Sequence, residues 1–552
     1  MTKIIELRPD ISSVDQNFEK YQYSADPVTI NLEKTLPKDV YRQEPDNTQD
    51  SWLEARIFAF HNHLFRNPFD SSCWYVDENQ DVWKLSKDGS VSCHHRLSVR
   101  DQKSSTYNPS IVFASQEVIV LSNGGECLEI LIENSSAEKE TFKTTDITPG
   151  VLLDSRYFRD KALVMIAMCC LTEVERKKQS QLIILSYEHS SKDNENNVLK
   201  LVRKNILKIR GPIEYAYIEA NGDYVHAISQ NTAIFEYDST KPVETKKAEY
   251  SENEKELKIP KYCWSQDEDS LTVWIKIAEK NRDDILVIDA TATSLSVCLK
   301  GVELIKGDLQ HRLDPDLTTW NREKDTIKLE LVKHESGLMW NELIRGDTGG
   351  ECLPNEALAA EIHNRLSHLC TSDSETGEGQ PLVGFNADQL EECDLQDQDN
   401  FLQRINLNEH STTHLAMLGS SNHVLFTQKL TFGQRLCLRH DHHGCIWIPR
   451  DNDTENWDVE HVDTFPGIGY VEASKTNKKF CISPPNGSYV AIVEHTRHAF
   501  LYEKPEGSAP IAKQRIVDLG SDSTPIMGAV ATNEHLILLT TTKLYRLVIR
   551  SR

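Results

Sequence analysis

Two stretches far apart in the chain share one pattern that few folds accommodate. Residues 218–238 read IEANGDYVHAISQNTAIFEYD, and residues 483–503 read SPPNGSYVAIVEHTRHAFLYE. In each stretch an Asn-Gly turn precedes a strand that starts with Tyr-Val, and after a polar break a second strand ends in Tyr. The Asn and the final Tyr are sixteen positions apart in both. This pattern predicts the inner hairpin of one unit in a repeated β-sheet.

Weaker copies of this layout occur on both sides of the middle of the chain, at residues 72–86, 111–133, 162–188, 414–449 and 526–550. Together they make about seven units over roughly 50–250 and 404–552, which suits β-propeller blades of about 40 to 50 residues. We therefore predict an all-β fold with a degenerate, about seven-bladed β-propeller. The chain has one Trp-Asp dipeptide, Trp457-Asp458, so the WD-repeat signature is absent. A pair of unrelated β-sandwiches is the alternative.

The middle of the chain has a different pattern. Between residues 260 and 345, apolar and polar residues alternate in LTVWIKI, DILVIDA, SLSVCLK and TIKLELVK, with turns between these runs. About ninety residues so rich in strands and turns predict a compact antiparallel β-sandwich. The predicted domains are residues 1–256 (first part of the propeller), 257–350 (the sandwich), 351–403 (a helix and an acidic linker) and 404–552 (second part of the propeller).

The segments that flank the sandwich are polar. Residues 241–258 carry charges of both signs and are typical of an exposed linker. Residues 354–369 place four apolar side chains on one face of a predicted helix behind Pro354, which suits the first turn of a helix. Residues 371–403 contain nine acidic residues and no Lys or Arg, so we predict an acidic loop there.

The order of residues in the middle region resembles the CS domain. This β-sandwich is shared by NudC proteins and by small co-chaperones of the ninety-kilodalton heat-shock protein, Hsp90. The motifs that carry the resemblance are Tyr262-x-Trp264-x-Gln266, Leu299-Lys300-Gly301, Gly307-x-Leu309, Trp320, Leu329-x-Leu331-x-Lys333 and Trp340. The sequence departs from the family at Asn321, where an apolar residue usually follows the Trp. The resemblance implies that the CS domain is inserted in one propeller formed by both flanks. A domain with neighbouring termini is tolerated in a surface loop.

The resemblance also implies a function. It predicts a non-enzymatic co-chaperone or adaptor that binds client proteins, notably β-propeller proteins, and links them to the Hsp90 chaperone. It further implies a monomer. The alternative is a stoichiometric scaffold subunit of a transport or RNA-metabolism assembly. The two differ in turnover, because a co-chaperone binds transiently whereas a scaffold stays in the purified assembly.

Aromatic residues are the first candidates for a binding surface. Trp264, Trp320 and Trp340 are expected to pack in the core of the sandwich, and the alternative is that they form an aromatic surface for a partner. Trp274 falls on the opposite face of its strand from Leu271, Val273 and Ile275, so it is either exposed or covered by the propeller. The candidate partner-binding residues are Trp274, Lys276, Lys300 and Gly301.

Several other classes of function are disfavoured by the sequence. The motifs GxSxG, HExxH, GxxxxGK[ST] and GxGxxG are absent, so we expect no enzymatic activity and no cofactor. The cluster CLRHDHHGC suggests zinc, but adjacent residues of two strands joined by the turn DHHG would point to opposite faces, so we expect no metal. The candidate ligands in that cluster are Cys437, His440, His442, His443 and Cys445.

The bulk composition bears on partners and on location. With 61 basic and 85 acidic residues, the net charge of −24 repels nucleic acid and membrane surfaces, and the sequence has no run of five Lys or Arg. The longest apolar run, residues 162–171, is half the length that a membrane span needs. Thirteen cysteines without a CxxC motif indicate a reducing compartment. We therefore expect a cytoplasmic protein, with the nucleus as a second location left open, that binds no nucleic acid directly and does not insert into a membrane.

Overall fold

The described part of the chain forms nine β-sheets with few helices. The computed structural model describes residues 2–14, 17–46, 49, 51–98, 106–133, 139–144, 147–174, 177–190, 198–243, 262–267, 269–276, 285–323, 326–347, 349–352, 400–419, 424–450, 457–475, 477–505, 507 and 509–549.

Seven of the sheets are the blades of a ring, numbered 1 to 7 by the order of their first strands in the chain. The first strands of most consecutive blades contact one another, and those of six blades line a central cavity, so the first strands are the inner strands. This arrangement confirms the predicted seven-bladed β-propeller.

The first three blades come entirely from the N-terminal part of the chain. From the inner edge outward their strands are, in blade 1, Phe65–Arg66 (β4), Cys73–Val76 (β5), Asp81–Leu85 (β6) and Val91–Arg96 (β7); in blade 2, Ser110–Phe113 (β8), Val118–Ser122 (β9), Leu128–Glu133 (β10) and Lys139–Thr144 (β11); and in blade 3, Gly150–Phe158 (β12), Leu163–Val174 (β13), Lys177–Ser190 (β14), Val198–Ile209 (β15) and Ile234–Asp238 (β18).

Of the other four blades, blades 4, 6 and 7 each include a strand from the N-terminal segment, whereas blade 5 comes entirely from the C-terminal part of the chain. Their strands are, in blade 4, Ala216–Ile218 (β16), Tyr224–Ser229 (β17), Asn400–Asn406 (β27), Ser411–Gly419 (β28) and Lys3–Ile5 (β1); in blade 5, Val424–Lys429 (β29), Gln434–His440 (β30), His443–Pro449 (β31) and Val459–Phe465 (β32); in blade 6, Lys478–Ile482 (β33), Tyr489–Glu494 (β34), His498–Glu503 (β35), Ile511–Asp518 (β36) and Lys20–Tyr23 (β2); and in blade 7, Ile526–Ala531 (β37), His535–Thr540 (β38), Lys543–Val548 (β39) and Thr29–Thr35 (β3).

The hydrophobic core of the ring lies between the blades. Seven clusters of buried side chains each combine residues of two adjacent blades. One of them joins the last blade, blade 7, to blade 1 and so closes the ring. In that last cluster Cys73 and Tyr75 of blade 1 pack with Val530 and Leu539 of blade 7. Because every blade shares its core with two neighbours, the ring is stabilised as a whole rather than blade by blade.

Blade 4 joins the two parts of the chain that flank the sandwich. Strand β17 pairs antiparallel with β27, from Tyr224 opposite Asn406 to Ser229 opposite Phe401. We call this pairing the seam. Arg404 of β27 donates to both carboxylate oxygens of Glu219, at 2.6 and 2.9 Å, and all three side chains of Glu219, His226 and Arg404 are fully buried. The insertion therefore lies inside a blade and not between two blades.

One predicted hairpin is wrong. Strand β34 does pair with β35, as the pattern in residues 483–503 predicts. The similar stretch 218–238 instead divides between two blades, because β17 pairs with β16 and β27 while β18 joins the outer edge of blade 3 beside β15. The chain leaves blade 4 after its second strand in order to enter the insertion, so the local pattern does not determine the pairing.

The N-terminal segment runs along the outer edges of four blades. We call residues 3–35 the N-terminal belt. Strand β1 lies parallel to β28 of blade 4, β2 lies parallel to β36 of blade 6, and β3 closes blade 7 antiparallel to β39. Between β1 and β2, the backbone N–H of Asp10 donates to Nδ1 of His461 in blade 5 at 3.0 Å. The belt thus connects blades 4 to 7.

A helix lies over the cavity inside the ring. Helix α1, Trp52–Ala59, begins at Ser51 with a capping box in which the Ser51 hydroxyl and the Glu54 carboxylate each accept a backbone N–H. Leu53 and Ile57 of α1 line the cavity of about 450 Å³ together with the inner strands. A second helix, α2 (Ile468–Ala473), follows blade 5.

The remaining two sheets form the sandwich. A five-stranded sheet in the order β24-β25-β20-β19-β26 faces a three-stranded sheet in the order β21-β22-β23. Their strands are Tyr262–Gln266 (β19), Ser270–Lys276 (β20), Leu286–Ala290 (β21), Ser294–Leu299 (β22), Val302–Asp308 (β23), Leu313–Glu323 (β24), Thr326–Lys333 (β25) and Gly350–Cys352 (β26). Strand β26 runs parallel to β19, so the predicted antiparallel sandwich has one parallel edge.

The boundaries of the insertion differ slightly from the prediction. Strand β26 extends the sandwich to residue 352, and β27 of the ring already begins at Asn400. The predicted helix at 354–369 and the acidic stretch from 371 to 399 lie outside the described residues, as does most of the predicted linker at 241–258.

Candidate protein-binding surface

The motif residues at the start of the sandwich hold its core together. The side-chain amide of Gln266 donates to the carbonyl oxygen of Trp340 at 2.7 Å, and its oxygen accepts the backbone N–H of Trp340 at 2.9 Å. This pair of bonds attaches the chain after β25 to β19. Trp264 and Trp340 are both buried in the single core of the sandwich. The Trp-x-Gln motif is therefore structural.

Lys333 is buried beside the same glutamine. Its ammonium donates to Oε1 of Gln266 at 3.1 Å and to the carbonyl oxygens of Asp267 and Leu338, both at 2.8 Å. These three acceptors are neutral. Burial therefore lowers the pKa of Lys333 to about 8, and Asp267 and Asp269 offset only part of that shift.

Two glycines of the sandwich, the motif residue Gly307 and Gly350 of β26, pack where no larger side chain fits. A Cβ on Gly307 would lie 2.3 Å from Cγ2 of Ile344, and a Cβ on Gly350 would overlap the ring of Tyr262. Leu309 forms an isolated β-bridge with Ile344 and is buried. Burial, and then the nearby Asp347 carboxylate, raise the pKa of Tyr262, whose hydroxyl donates to Asp347 at 3.1 Å. These residues close one end of the sandwich.

Trp274 lies on the outer face of the five-stranded sheet, as its position in the strand predicts. Its neighbours in the ladder are Cys263 of β19 and Lys328 of β25, and its side chain is half-buried. Lys276 ends the same strand opposite Thr326. A partner could contact this face through Trp274.

Lys300 and Gly301 form the turn between β22 and β23, on the other sheet. Both have positive φ angles, 51° and 79°, and both are exposed. No atom lies within 4 Å of a Cβ built on Gly301, so only the backbone conformation requires glycine there. The four candidate partner-binding residues are thus divided between the two sheets and form two separate candidate surfaces.

Exposed apolar side chains surround this turn. Ile285 is 78% exposed and Val302 is 63% exposed, and Val287 lies on the outer face opposite Cys298. The backbone N–H of Lys300 donates to the carbonyl oxygen of Ile285 at 2.9 Å, which holds the two segments together. We call Ile285, Val287, Lys300, Gly301 and Val302 the hairpin-tip patch. The sequence analysis missed its apolar members. The signal was available in DILVIDA, where apolar residues occupy both faces of a strand.

Trp320 is not in the core, so the expectation for this residue is wrong. It is 51% exposed, and Leu317 on the same strand is exposed too. Both belong to β24, an edge strand that pairs only with β25 among the described residues and whose register shifts between Asp314 and Thr319. An edge position leaves one flank of the side chain without a neighbouring strand. Asn321, the departure from the family pattern, is exposed next to it.

The cysteine and histidine cluster lies in blade 5. Cys437 is opposite Ile446 and Leu438 is opposite Cys445, so the two thiols point to opposite faces of the blade. Cys437 packs in the core shared with blade 6 and Cys445 in the core shared with blade 4. The described residues contain no group of three His, Cys, Asp or Glu side chains arranged to hold a metal ion. No helix in the described part of the chain is long and apolar enough to span a membrane.

Comparisons with known proteins agree with this architecture. Residues 260–333 match the CS domain family. NudC domain-containing protein 1 of Mus musculus is 28% identical over 574 positions that cover 98% of this chain and 97% of that protein. The protein of the same name from Xenopus tropicalis is 29% identical over 580 positions, with the same coverage.

Among solved structures, the β-propeller domain of Myceliophteria thermophila Cps50 (Swd1) aligns with 95% of this chain and 100% of its own, at 8% identity and a TM-score of 0.37. The relatives and the family match confirm the resemblance expected from the motifs. The chain therefore carries a CS domain and is similar over almost its whole length to NudC domain-containing protein 1.

Proposed function

We propose that this protein is a non-enzymatic adaptor of the co-chaperone type, which binds β-propeller client proteins and links them to the Hsp90 chaperone. In this proposal the CS domain supplies a docking surface, the hairpin-tip patch, and the ring supplies a second rigid body. The protein acts in the cytoplasm and the nucleus. The eleven cysteines in the described part of the chain are all free thiols, as a reducing compartment favours.

The hairpin-tip patch is the observation that carries the proposal. Ile285 and Val302 are among the most exposed large apolar side chains of the described residues. An apolar surface that neighbours a charged side chain, here Lys300, is typical of protein interaction sites. The patch lies on a sheet whose inner face belongs to a complete core, so a partner can bind there without disturbing the fold.

The proposed clients follow from folding physics and from the family resemblance. A β-propeller has many contacts between residues distant in sequence, and its ring stays open until the last blade closes. Open edges and apolar inter-blade surfaces are then exposed. A partner that covers such surfaces prevents aggregation during this interval.

Binding of purified Hsp90 to the purified chain tests this proposal. We expect saturable binding in isothermal titration, and at least tenfold weaker binding, about 1.4 kcal/mol, for the double substitution Ile285→Ser and Val302→Ser. The matched control is Ile516→Ser, which alters an exposed isoleucine on blade 6 of the ring. Circular dichroism should show that all variants keep the same fold.

Affinity capture of the intact chain from cells tests the proposal that it binds β-propeller client proteins. We expect mass spectrometry to recover Hsp90 and β-propeller proteins, and to recover less of both with the double variant. Capture that yields neither, or equal recovery with wild type and the double variant, contradicts the proposal. Recovery of one stoichiometric assembly without Hsp90 would instead indicate the scaffold alternative.

A further inference from the structure

Five basic side chains lie where blades 6 and 7 meet the segment that precedes blade 1. These are Arg42, His61, His63, Lys479 and His495, which we call the basic cluster. The rings of His61 and His63 are 4.7 Å apart, and both are buried. Lys479 and His495 are buried as well, whereas the Arg42 side chain is 40% exposed and pairs with Glu44 at 2.8 Å. The cluster is therefore enclosed on most sides and reaches solvent at Arg42.

Backbone contacts bring three members of the cluster to one point of blade 7. The ammonium of Lys479 donates to the carbonyl oxygen of Ile526 at 3.1 Å. The backbone N–H of Ile526 donates to the carbonyl oxygen of His495 at 2.7 Å. The backbone N–H of His63 donates to the carbonyl oxygen of Met527 at 3.2 Å. Three basic residues from separate segments thus surround two consecutive residues of β37.

A β-bulge directs Lys479 inward. In blade 6, Lys478 pairs with Glu494 and Phe480 pairs with Val493, so Lys479 is the extra residue between them. A bulge changes the direction of a side chain relative to the regular alternation of a strand, and bulges are frequent next to binding sites. Regular alternation would not place a lysine in this core, so the bulge is a specific feature of the site.

The electrostatics of the cluster favour an anion. Burial, and then the charge of Arg42, lower the pKa of Lys479 to about 7. Burial, and then the charge of Lys479, lower the pKa of His495 to about 3. Burial also lowers the pKa of His61 to about 4, and burial, followed by the charge of His61, lowers the pKa of His63. The charges of Arg42 and Lys479 therefore oppose protonation of the buried histidines, and an anion among these groups would relieve that repulsion.

His495 gives an independent indication of a ligand. It is 4% exposed, and neither Nδ1 nor Nε2 has a hydrogen-bond partner. Buried polar groups are almost always hydrogen-bonded, and an exception calls for an ordered water or an ion. At least one ring nitrogen of a neutral histidine is a donor, and both are donors in the protonated form. An oxyanion accepts such bonds.

We propose that the basic cluster is a binding site for a small free oxyanion of the sulfate or phosphate type, held by Lys479, His495 and Arg42 between blades 6 and 7. The enclosed position favours a free inorganic ion over a phosphate carried on a large partner. The anion would join the last two blades to the segment that precedes blade 1, where the ring closes. The proposal does not depend on the proposed adaptor function.

Sulfate is the probe, because it stays dianionic from pH 6 to 8 while Lys479 titrates. Isothermal titration of the full chain with sodium sulfate, at ionic strength held constant with chloride, should show saturation below about 10 mM at pH 6. Binding requires protonated Lys479, so we expect roughly tenfold weaker binding at pH 8. The histidines that face Lys479 should also make sulfate binding stronger at low pH. A bound anion favours the protonated forms of His61, His63 and His495 as well.

Two substitutions test whether Lys479 and His495 bind the anion. Lys479→Met removes the charge with little change in volume and should abolish the response to sulfate, whereas the control Lys513→Met, at an exposed pair with Asp26, should leave it unchanged. His495→Phe keeps a ring and removes both nitrogens, and it should weaken binding at least tenfold. The absence of saturable sulfate binding by the wild type, or equal binding by both site variants and wild type, would overturn the proposal.

Discussion

The ring and the sandwich are both built from short strands, but they bury their apolar residues in different ways. Among the described residues, the sandwich has one core of seventeen buried side chains, all from residues 262–344. The ring has seven cores, each shared by two blades, and the cores of blade 4 combine segments almost 200 positions apart. The sandwich is therefore complete within one continuous segment, whereas the ring depends on contacts between distant segments.

The two regions also bury a cation in different ways. In the ring, Arg404 faces the carboxylate of Glu219, so charge compensates charge. Burial alone would raise the pKa of Glu219, but its hydrogen bonds with Arg404 and His226 lower it overall. In the sandwich, Lys333 faces only neutral oxygens among its hydrogen-bond partners. The difference predicts that loss of the Arg404 charge destabilises the ring, whereas the protonation state of Lys333 governs the stability of the sandwich.

Removal of the N-terminal belt should have the largest effect and should affect the ring alone. Deletion of residues 2–36 removes β1, β2 and β3, so β39 becomes an unpaired edge and blade 7 loses its closing strand. We expect the ring to lose cooperative folding while the sandwich stays folded. Hydrogen exchange with mass spectrometry measures both regions in one sample. Full protection of blades 4 to 7 after the deletion would contradict this dependence on the belt.

Substitution of Arg404 should be the next most severe change. Arg404→Met leaves Glu219 buried without its cation, which costs about 3 to 5 kcal/mol of stability in comparable buried pairs. The matched control is Arg450→Met, because Arg450 pairs with Glu460 at 2.9 Å on the surface of blade 5, where such pairs contribute about 0 to 1 kcal/mol. Urea unfolding monitored by hydrogen exchange should show that the loss of stability occurs in the ring. Equal effects of the two substitutions would mean that the seam does not stabilise the ring.

The pH dependence of Lys333 comes third and should affect the sandwich alone. Its folded pKa of about 8 lies below its unfolded value, so between about pH 8 and 10.5 the unfolded chain binds more protons. Stability should therefore rise with pH through this range, by no more than about 3 kcal/mol. Lys333→Met should remove the rise, and its stability relative to wild type should fall as the pH increases. The check is the free energy of unfolding of the wild type and of Lys333→Met, measured as a function of pH. If it changes with pH in the same way for both proteins, the pKa of Lys333 is not depressed.

How much the sequence predicts differs between the two regions. The strand periods and the CS motifs are local, so Trp264, Gln266 and Trp340 could be placed in the sandwich from the sequence. The first two strands of the belt could not be predicted, because β1 and β2 have only three and four residues, too few to establish a strand period. A strand this short gains its structure from the edge to which it binds, and that edge is more than 400 positions away.

The candidate surface was predicted only in part for a related reason. A period of two assigns the face of a strand, but it does not say whether the strand lies at an edge. Trp320 lies opposite the buried Leu329 in the ladder, and its exposure follows from the edge position and the irregular register of β24. Likewise, the exposure of Ile285 and Val302 results from their place at the end of a three-stranded sheet, which only the pairing of β21 to β23 defines.

Substitution of Trp320 should have the smallest effect on stability, and it distinguishes an edge position from a core position within the sandwich. Since half of its surface is already in solvent, Trp320→Ser should cost only about 2 kcal/mol of stability, roughly half the cost of truncating a fully buried tryptophan. Trp264→Ala is the comparison, because this tryptophan is 2% exposed in the core and comparable truncations cost about 3 to 5 kcal/mol. Chemical unfolding of the two variants measures both values. A large loss for Trp320→Ser would mean that β24 is packed against another surface in solution, and the sandwich would then have fewer free edges than its two sheets indicate.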